Sequence, residues 1–194
     1  MGSRWRAFAS GVVAPAALFA PLLVPAALWS APTRVAPPHA LATDAELAAR
    51  VQKLRSELPH EFTVVAVNPF VVVSDELDQR ELDRRLKLVR AVTAKLWREL
   101  APDAALSPIV DLWVFTDRTS YRYHARHYLG VRPETDLGFY APQRRALVIN
   151  GSTGDSTLAH ELVHPFVHAS FTHCPVWLDE GIASLYEESA EVAG

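Results

Sequence analysis

Apolar side chains recur along residues 44–188 at two different spacings, and each spacing predicts one type of secondary structure. Apolar residues three and four positions apart lie on one helical face, and they predict helices over 45–58, 75–100 and 117–129. Short runs rich in β-branched and aromatic residues predict strands. These runs cover 62–67, 70–73, 109–115, 137–141 and 146–150. We therefore expect a folded region that contains both helices and strands.

Residues with strong capping or turn preferences mark the ends of these elements. Asp44 is expected to cap the first helix, and Pro59 to end it. Asp117 and Gly130 are expected to begin and end the third helix. Aspartate accepts hydrogen bonds from a helix N-terminus, and glycine adopts the left-handed backbone that often follows a C-terminus. The pair Asn68-Pro69 predicts a tight turn between the first two strands.

The N-terminal region has a pattern of its own. Arg4 and Arg6 precede a run from residue 7 to residue 31 that holds no charged side chain. A basic start followed by an apolar run is typical of a secretory signal or an N-terminal membrane anchor, and a disordered Ala/Pro-rich leader is the alternative. We expect the protein to be exported (periplasmic or extracellular) or attached to the membrane by this segment. The chain then divides into a signal or anchor, a Pro/Ala-rich linker and a folded domain: 1–31, 32–43 and 44–194.

Charge and cysteine content exclude several classes of protein. The 194 residues include 22 acidic and 19 basic side chains, for a net charge of −3. Nucleic-acid binding is not expected, because it requires a basic excess to neutralise phosphates. The single cysteine, Cys174, rules out an intramolecular disulfide framework and a thiolate zinc cluster. We interpret Cys174 as a small packed residue.

The candidate chemistry lies near the C-terminal end, where the run His160-Glu161-Leu162-Val163-His164 has the form HExxH. Residues four apart lie on the same face of a helix, so the two imidazoles can converge on one zinc ion. Glu161 follows the first histidine and therefore points near the metal without binding it. In that position a carboxylate can take a proton from a water molecule at the zinc ion.

The residues around this motif predict a helix. Ser156 or Thr157 is expected to cap it, and Asp155 favours its N-terminus. Pro165 removes one helical hydrogen bond, and we expect it to kink the helix just after His164. An apolar side is formed by Leu158, Leu162, Val163 and Phe166.

A catalytic zinc site usually has three protein ligands, so a third ligand is needed. His168 lies about 12 Å along the helix axis from His160, too far to share its metal ion, and is interpreted as an outer or surface residue. His173 follows in a loop and is one candidate. Glu180 is the better candidate, because a helix from Trp177 to about 188 would pack antiparallel to the first. Its predicted inward side chains are Leu178, Ile182 and Leu185.

The HExxH run followed by Trp177-Leu178-Asp179-Glu180-Gly181-Ile182-Ala183 resembles the gluzincin metallopeptidases. The resemblance is closest to the peptidase-MA-like group. It implies an α+β, zincin-like domain over 44–194, with a small mixed sheet, an active-site HExxH helix and a following glutamate-bearing helix. It also implies that His160, His164 and Glu180 bind Zn²⁺ and that Glu161 is the general base. Ser184 and Glu187 match family residues as well.

The expected function is that of a zinc-dependent peptidase acting on a peptide or protein substrate. In such folds an edge strand beside the active-site helix pairs with extended substrate, and 137–141 or 146–150 is the expected counterpart. The alternative is a zinc-binding but inactive module that binds peptides or a partner protein.

Two departures from the family pattern bear on activity. Gluzincins add a tyrosine or histidine that donates a hydrogen bond to the tetrahedral oxyanion. Tyr140 and Tyr186 are the candidates for this role, and each can instead be an ordinary core or rim tyrosine. The larger C-terminal domain of many relatives does not follow Glu180, so the expectation includes a minimal enzyme, a truncated one and one completed by a partner.

Overall fold

The computed structural model describes residues 42–100, 109–171 and 173–187. The predicted signal or anchor over 1–31 and most of the linker over 32–43 lie outside the described residues. Among the helices of the described part, none combines the length and the apolar character needed to cross a membrane.

The described part contains six α-helices and five strands, in nearly the predicted order. The helices are α1 (Asp44–Glu57), α2 (Gln79–Glu99), α3 (Arg118–Leu129), α4 (Asp155–Glu161), α5 (His164–Ser170) and α6 (Val176–Glu187). The strands are β1 (Thr63–Val67), β2 (Phe70–Ser74), β3 (Val110–Phe115), β4 (Gly138–Ala141) and β5 (Ala146–Asn150).

The strands form one small mixed sheet in the order β1-β2-β3-β5-β4. The two outer pairs, β1 with β2 and β4 with β5, are antiparallel, and the inner pairs are parallel. The expected α+β class with a small mixed sheet is therefore confirmed. The order also shows that β4 is an edge strand, whereas β5 is enclosed between β3 and β4.

Helices cover both faces of the sheet. One core packs against α2, α4, α5 and α6, and the other packs against α1 and α3. Strand β3 supplies both cores by alternation, with Leu112 and Val114 in the first and Trp113 and Phe115 in the second. Because both faces are covered, every residue of β2, β3 and β5 is buried.

The helix ends correct one predicted cap and confirm two others. The cap of α1 is Thr43 and not Asp44, because the Thr43 hydroxyl accepts from the backbone of Glu46 while the Glu46 carboxylate accepts from the backbone of Thr43. Asp117 accepts from two backbone N–H groups at the start of α3, as predicted. Gly130 ends that helix in the left-handed conformation, with φ of 63°.

The HExxH helix begins differently from the prediction. Its first residue is Asp155, preceded by Gly154 with φ of 99°, and neither Ser156 nor Thr157 caps it. The Asp155 carboxylate contacts the guanidinium of Arg84 on α2. Arg84 also holds Glu81, at 2.6 Å. This ion pair ties the first residue of the helix to α2, and no side-chain hydrogen bond caps this N-terminus.

The predicted kink falls before Pro165, between the two histidines of the motif. Regular helix stops at Glu161 and resumes at His164. The Val163 N–H bonds to the His160 carbonyl three residues back, at 3.1 Å. Proline has no N–H to bond the carbonyl of Glu161, so the backbone tightens in the preceding turn. Leu162 and Val163 keep right-handed helical dihedral angles, so the interruption is limited to these two residues.

Candidate metal centre

The two motif histidines and Glu180 converge at one point. One ligand atom from each of His160, His164 and Glu180 lies within 4.8 Å of the other two. The His160 Nε2 and Glu180 Oε2 atoms are 3.2 Å apart. Two ligand atoms of a tetrahedral zinc ion, each about 2.1 Å from it, are about 3.4 Å apart. The spacing therefore suits a shared metal ion, as the spacing of the motif predicted.

The opposite ring nitrogens of both histidines are held by carboxylates of α6. His160 Nδ1 lies 2.7 Å from Glu187 Oε1, and His164 Nδ1 lies 2.9 Å from Asp179 Oδ1. Metal-binding histidines usually donate the second ring N–H to such a partner, which fixes the tautomer and the ring orientation. Both contacts leave Nε2 free to bind a metal, so the donor set of two imidazoles and one carboxylate fits a catalytic zinc ion.

Sequence reasoning missed the role of Asp179. Its only signal was an acidic residue directly before Glu180. Glu187 was identified only by resemblance, although it follows Glu180 by seven residues, about two helical turns. The HExxH segment, which spans the end of α4 and the start of α5, packs antiparallel to α6, as predicted, since His160 contacts Glu187 whereas His164 contacts Asp179.

Glu161 occupies the position expected of a general base. It is 8% exposed and lines the same cavity as the three candidate ligands. Its Oε2 lies 4.0 Å from His164 Nε2, close to the metal position but outside hydrogen-bonding distance of that ring. Burial raises the pKa of the Glu161 carboxyl, and the nearby His164 and His160 only partly oppose the shift.

The electrostatic balance at His164 depends on Asp179. Burial acts to lower the pKa of His164, but the hydrogen bond and charge of Asp179, with Glu161 and Glu180, raise it overall. Burial by itself would raise the pKa of the Asp179 carboxyl. Hydrogen bonding to His164 and His168 outweighs burial and holds that pKa well below its usual range. Asp179 is therefore a carboxylate placed between two imidazoles.

The edge strand β4 passes close to Glu161. A Cβ atom on Gly138 would lie 3.1 Å from the Cδ and Cγ atoms of Glu161 and 2.9 Å from the carbonyl oxygen of Val148. These distances are too short for a side chain, so glycine allows the strand to approach Glu161. The strand therefore forms one wall of the cavity.

The cavity has a volume of about 520 Å³ and lies between β4, α4, α5 and α6. This volume falls within the usual range for ligand sites. Polar groups dominate the walls nearest α6. The lining residues are Thr135, Leu137, Gly138, Phe139, Tyr140, Ser156, Thr157, His160, Glu161, His164, His168, Asp179, Glu180 and Glu187.

The remaining histidine candidates do not join the ligand set. His168 lines the cavity, but its Nε2 faces Asp179 Oδ2 at 3.4 Å, so it contacts the partner of a candidate ligand. This agrees with its interpretation as an outer residue. His173 is exposed and absent from the described metal cluster.

The two candidate oxyanion donors, Tyr140 and Tyr186, have different surroundings in the structure. Tyr140 lines the cavity, and its ring packs edge-on against His168 with 5.4 Å between ring centroids. The Tyr186 hydroxyl instead donates to Glu99 on α2, at 3.2 Å, and Tyr186 does not line the cavity. Tyr186 is therefore a core residue.

The predicted inward face of α6 is wrong at Leu185. Leu185 was expected to point inward but is 72% exposed, and Leu178 and Ile182 are only partly buried. The buried residues of α6 are Ala183 and Tyr186. The helix is rotated so that its carboxylates, rather than its leucines, face α4.

Comparisons with known proteins returned nothing for this chain: no family model, no curated protein and no solved structure matches it.

Proposed function

We propose that this protein is a zinc-dependent peptidase with a zincin-like domain of the gluzincin type. The observation that carries the proposal is the convergence of His160, His164 and Glu180 beside a buried Glu161 that has no hydrogen-bond partner among the described residues. The HExxH motif by itself also occurs by chance on ordinary helices. A third potential ligand from a separate helix, within 4.8 Å of both histidines, is much less expected by chance.

Each side chain then has a defined task. Zn²⁺, when bound, would polarise the scissile carbonyl and make water nucleophilic near neutral pH. Glu161 accepts the proton of the attacking water and passes it to the leaving amine. A base that accepts a proton in one step and releases it in the next must hold that proton transiently, and burial, which raises the pKa of Glu161, favours the protonated form. Asp179 and Glu187 hold the two imidazoles in register.

Strand β4 has an open edge on which a peptide can lie. The Asn150 N–H bonds to the Leu137 carbonyl at 2.9 Å, and antiparallel strands alternate paired and unpaired positions. By this alternation the backbone groups of Gly138 and Tyr140 point away from β5. The Gly138 carbonyl accepts a hydrogen bond from the Thr135 hydroxyl at 3.1 Å, so a peptide on this edge must replace that contact or bond to the other groups. The proposal is that an extended substrate adds to this edge by backbone hydrogen bonds, with the scissile bond near Glu161. Tyr140 is the proposed hydrogen-bond donor to the oxyanion.

The second candidate function is a zinc-binding module that holds peptides without cleaving them. The engagement of Tyr186 with Glu99 favours it, because only Tyr140 then remains of the two proposed oxyanion donors. Glu161 favours the peptidase, since a binding module has no need of a buried carboxylate that lines the cavity beside the candidate ligands.

Wild-type protein and Glu161→Gln should be compared for zinc content and for cleavage of a peptide library. Equal zinc content with cleavage lost in the variant is the expected result for a peptidase. Equal zinc content with no cleavage by either protein would replace the peptidase by the binding module. Glu57→Gln, an exposed glutamate on α1, is the matched control and should behave as wild type.

A further inference from the structure

The cavity walls carry charge of one sign. Among its lining residues are four carboxylates, and the described lining contains neither lysine nor arginine. The carboxylates are Glu161, Asp179, Glu180 and Glu187. The absence of lysine and arginine from the described lining contrasts with the chain as a whole, which has 22 acidic and 19 basic residues.

The described contacts of Asp179, Glu180 and Glu187 are with histidine rings, and none is with lysine or arginine. His160 and His164 must be neutral to bind a metal, and His168, which contacts Asp179, is the one of these rings outside the candidate ligand set. A bound divalent cation offsets only two of the four negative charges. The cavity therefore keeps a negative field when the metal is present, and low-dielectric walls concentrate such a field.

Two of the carboxylates are placed to act on a ligand. The side chains of Glu180 and Glu187 are 55% and 45% exposed, so both reach the cavity opening along α6. Glu161 is the separate observation that points to a ligand, because this side chain is nine-tenths buried and lines the cavity without a hydrogen-bond partner among the described residues. A ligand group placed near α6 meets all three.

We propose that this site takes peptides with a basic residue or a free amine beside the scissile bond, and rejects peptides that place a carboxylate there. The inference rests on the proposed peptidase function, whose substrate class it narrows. A carboxypeptidase needs a cationic group, usually arginine, to bind the terminal carboxylate of its substrate, and the described lining supplies none. The enzyme is therefore an endopeptidase or an aminopeptidase.

A positive charge acts at the other end of β4. Burial raises the pKa of Tyr140, and the charge of Arg145, in the connection between β4 and β5, opposes that rise. The selectivity should act on residues bound near α6 and be absent from those bound beyond Tyr140.

The experiment uses the zinc-loaded protein and amidated peptides that differ only in having Lys, Gln or Glu at one position. A fourth peptide ends in a free carboxylate at that position. We expect kcat/KM to be about tenfold higher for the Lys peptide than for the Glu peptide at low salt. The difference should shrink as ionic strength rises through about 0.5 M, because salt screens exposed charges. Binding of the same peptides to zinc-loaded Glu161→Gln by calorimetry should follow the same order.

A positive charge introduced at the cavity rim tests whether the negative charge of the cavity causes the preference. Leu137 lines the cavity and is 53% exposed, so Leu137→Lys is expected to reduce the preference for Lys over Glu several-fold. Leu77 is 84% exposed and does not line the cavity, so Leu77→Lys is the matched control and should keep the preference. Circular dichroism of both variants checks that they fold.

The outcomes separate this inference from the proposed function. Cleavage with no charge preference, or with a preference for the Glu or free-carboxylate peptide, overturns the inference and leaves the peptidase standing. Charge-selective binding without cleavage supports the inference and overturns the peptidase. Neither binding nor cleavage of any peptide overturns both.

Discussion

The backbone of Gly138 packs directly against the carboxyl group of Glu161. A Cβ atom at residue 138 would lie 3.1 Å from the Glu161 Cδ atom, on a strand that is itself held by pairing with β5. The edge strand and the proposed base are therefore positioned by the same contact. Any side chain at residue 138 must displace the strand, the base or both.

Gly138→Ala is expected to lower kcat by at least about tenfold, because a displaced carboxylate loses part of the contribution of a general base. Overpacking should also lower the free energy of unfolding by about 1–3 kcal/mol. Zinc content should stay at the wild-type level, since the three atoms nearest to a Cβ at residue 138 belong to Val148 and Glu161 and not to a candidate ligand. Steady-state kinetics, urea unfolding and metal analysis measure the three effects.

Gly181→Ala is the control for this variant. A Cβ atom at Gly181 meets nothing within 4 Å, and alanine in a helix is more stable than glycine by about 1 kcal/mol. Equal kcat for Gly138→Ala and Gly181→Ala would show that the close approach has no part in catalysis.

The carboxylates that hold the two histidines should control metal affinity. Asp179→Asn and Glu187→Gln are each expected to weaken zinc binding by about 10- to 100-fold, because the imidazole rings lose the partners that orient them. Competition with a chelating dye measures the dissociation constant. Unchanged affinity in both variants would mean that the rings are held by packing alone, and Glu57→Gln should match wild type.

Tyr140 and Tyr186 should have different effects when their hydroxyls are removed. Tyr140→Phe is expected to lower kcat by about 100-fold with little change in KM, as for loss of an oxyanion donor. Tyr186→Phe should leave kcat unchanged and lower the free energy of unfolding by about 1 kcal/mol, because a hydrogen bond to Glu99 is lost. The reverse pattern in kinetics and urea unfolding would reassign the donor.

The ion pair between Glu81 and Arg84 on α2 should contribute to stability in a pH-dependent way. Hydrogen bonding to Arg84 lowers the pKa of the Glu81 carboxyl from its ordinary value of about 4.5 to about 2. A depressed carboxyl pKa stabilises the folded state above the unfolded value, and this stability is lost as pH falls from about 4.5 to about 2. Glu81 is near the surface, so we expect only about 1 kcal/mol.

Glu81→Gln should therefore be less stable than wild type at pH 7, and the difference should disappear as pH falls through that window. Urea midpoints measured from pH 7 to about pH 2.5 give the difference directly. A constant difference at all pH values would mean that Glu81 stabilises by packing and not by its charge.

Local pattern predicted most of the elements of the described part. Helix and strand periodicity depends on residues within one or two turns, so the stretches over 44–100 and 109–150 appear close to their predicted bounds. The helix caps were harder to predict than the helices. Thr43 and Asp44 are both good capping residues, and only the pair of hydrogen bonds between Thr43 and Glu46 decides between them.

Spacing alone also placed His160, Glu161 and His164 near one another, since residues four apart share a helical face whatever surrounds the helix. Glu180 needed more than spacing, because its position depends on how α6 docks. The rotation of α6 brings Asp179 and Glu187 to the histidines and leaves Leu185 exposed. A helix with apolar residues on more than one side does not specify its buried face.

The sequence by itself determined which residues can supply the chemistry, because the HExxH spacing is a property of a single helix. Tertiary structure decided which of them meet. Only the strand order shows that β4, and not β5, has a free edge, and only the packing of that strand explains why residue 138 is a glycine. Strand order and helix rotation depend on contacts between residues far apart in the chain, and those contacts cannot be predicted from local periodicity.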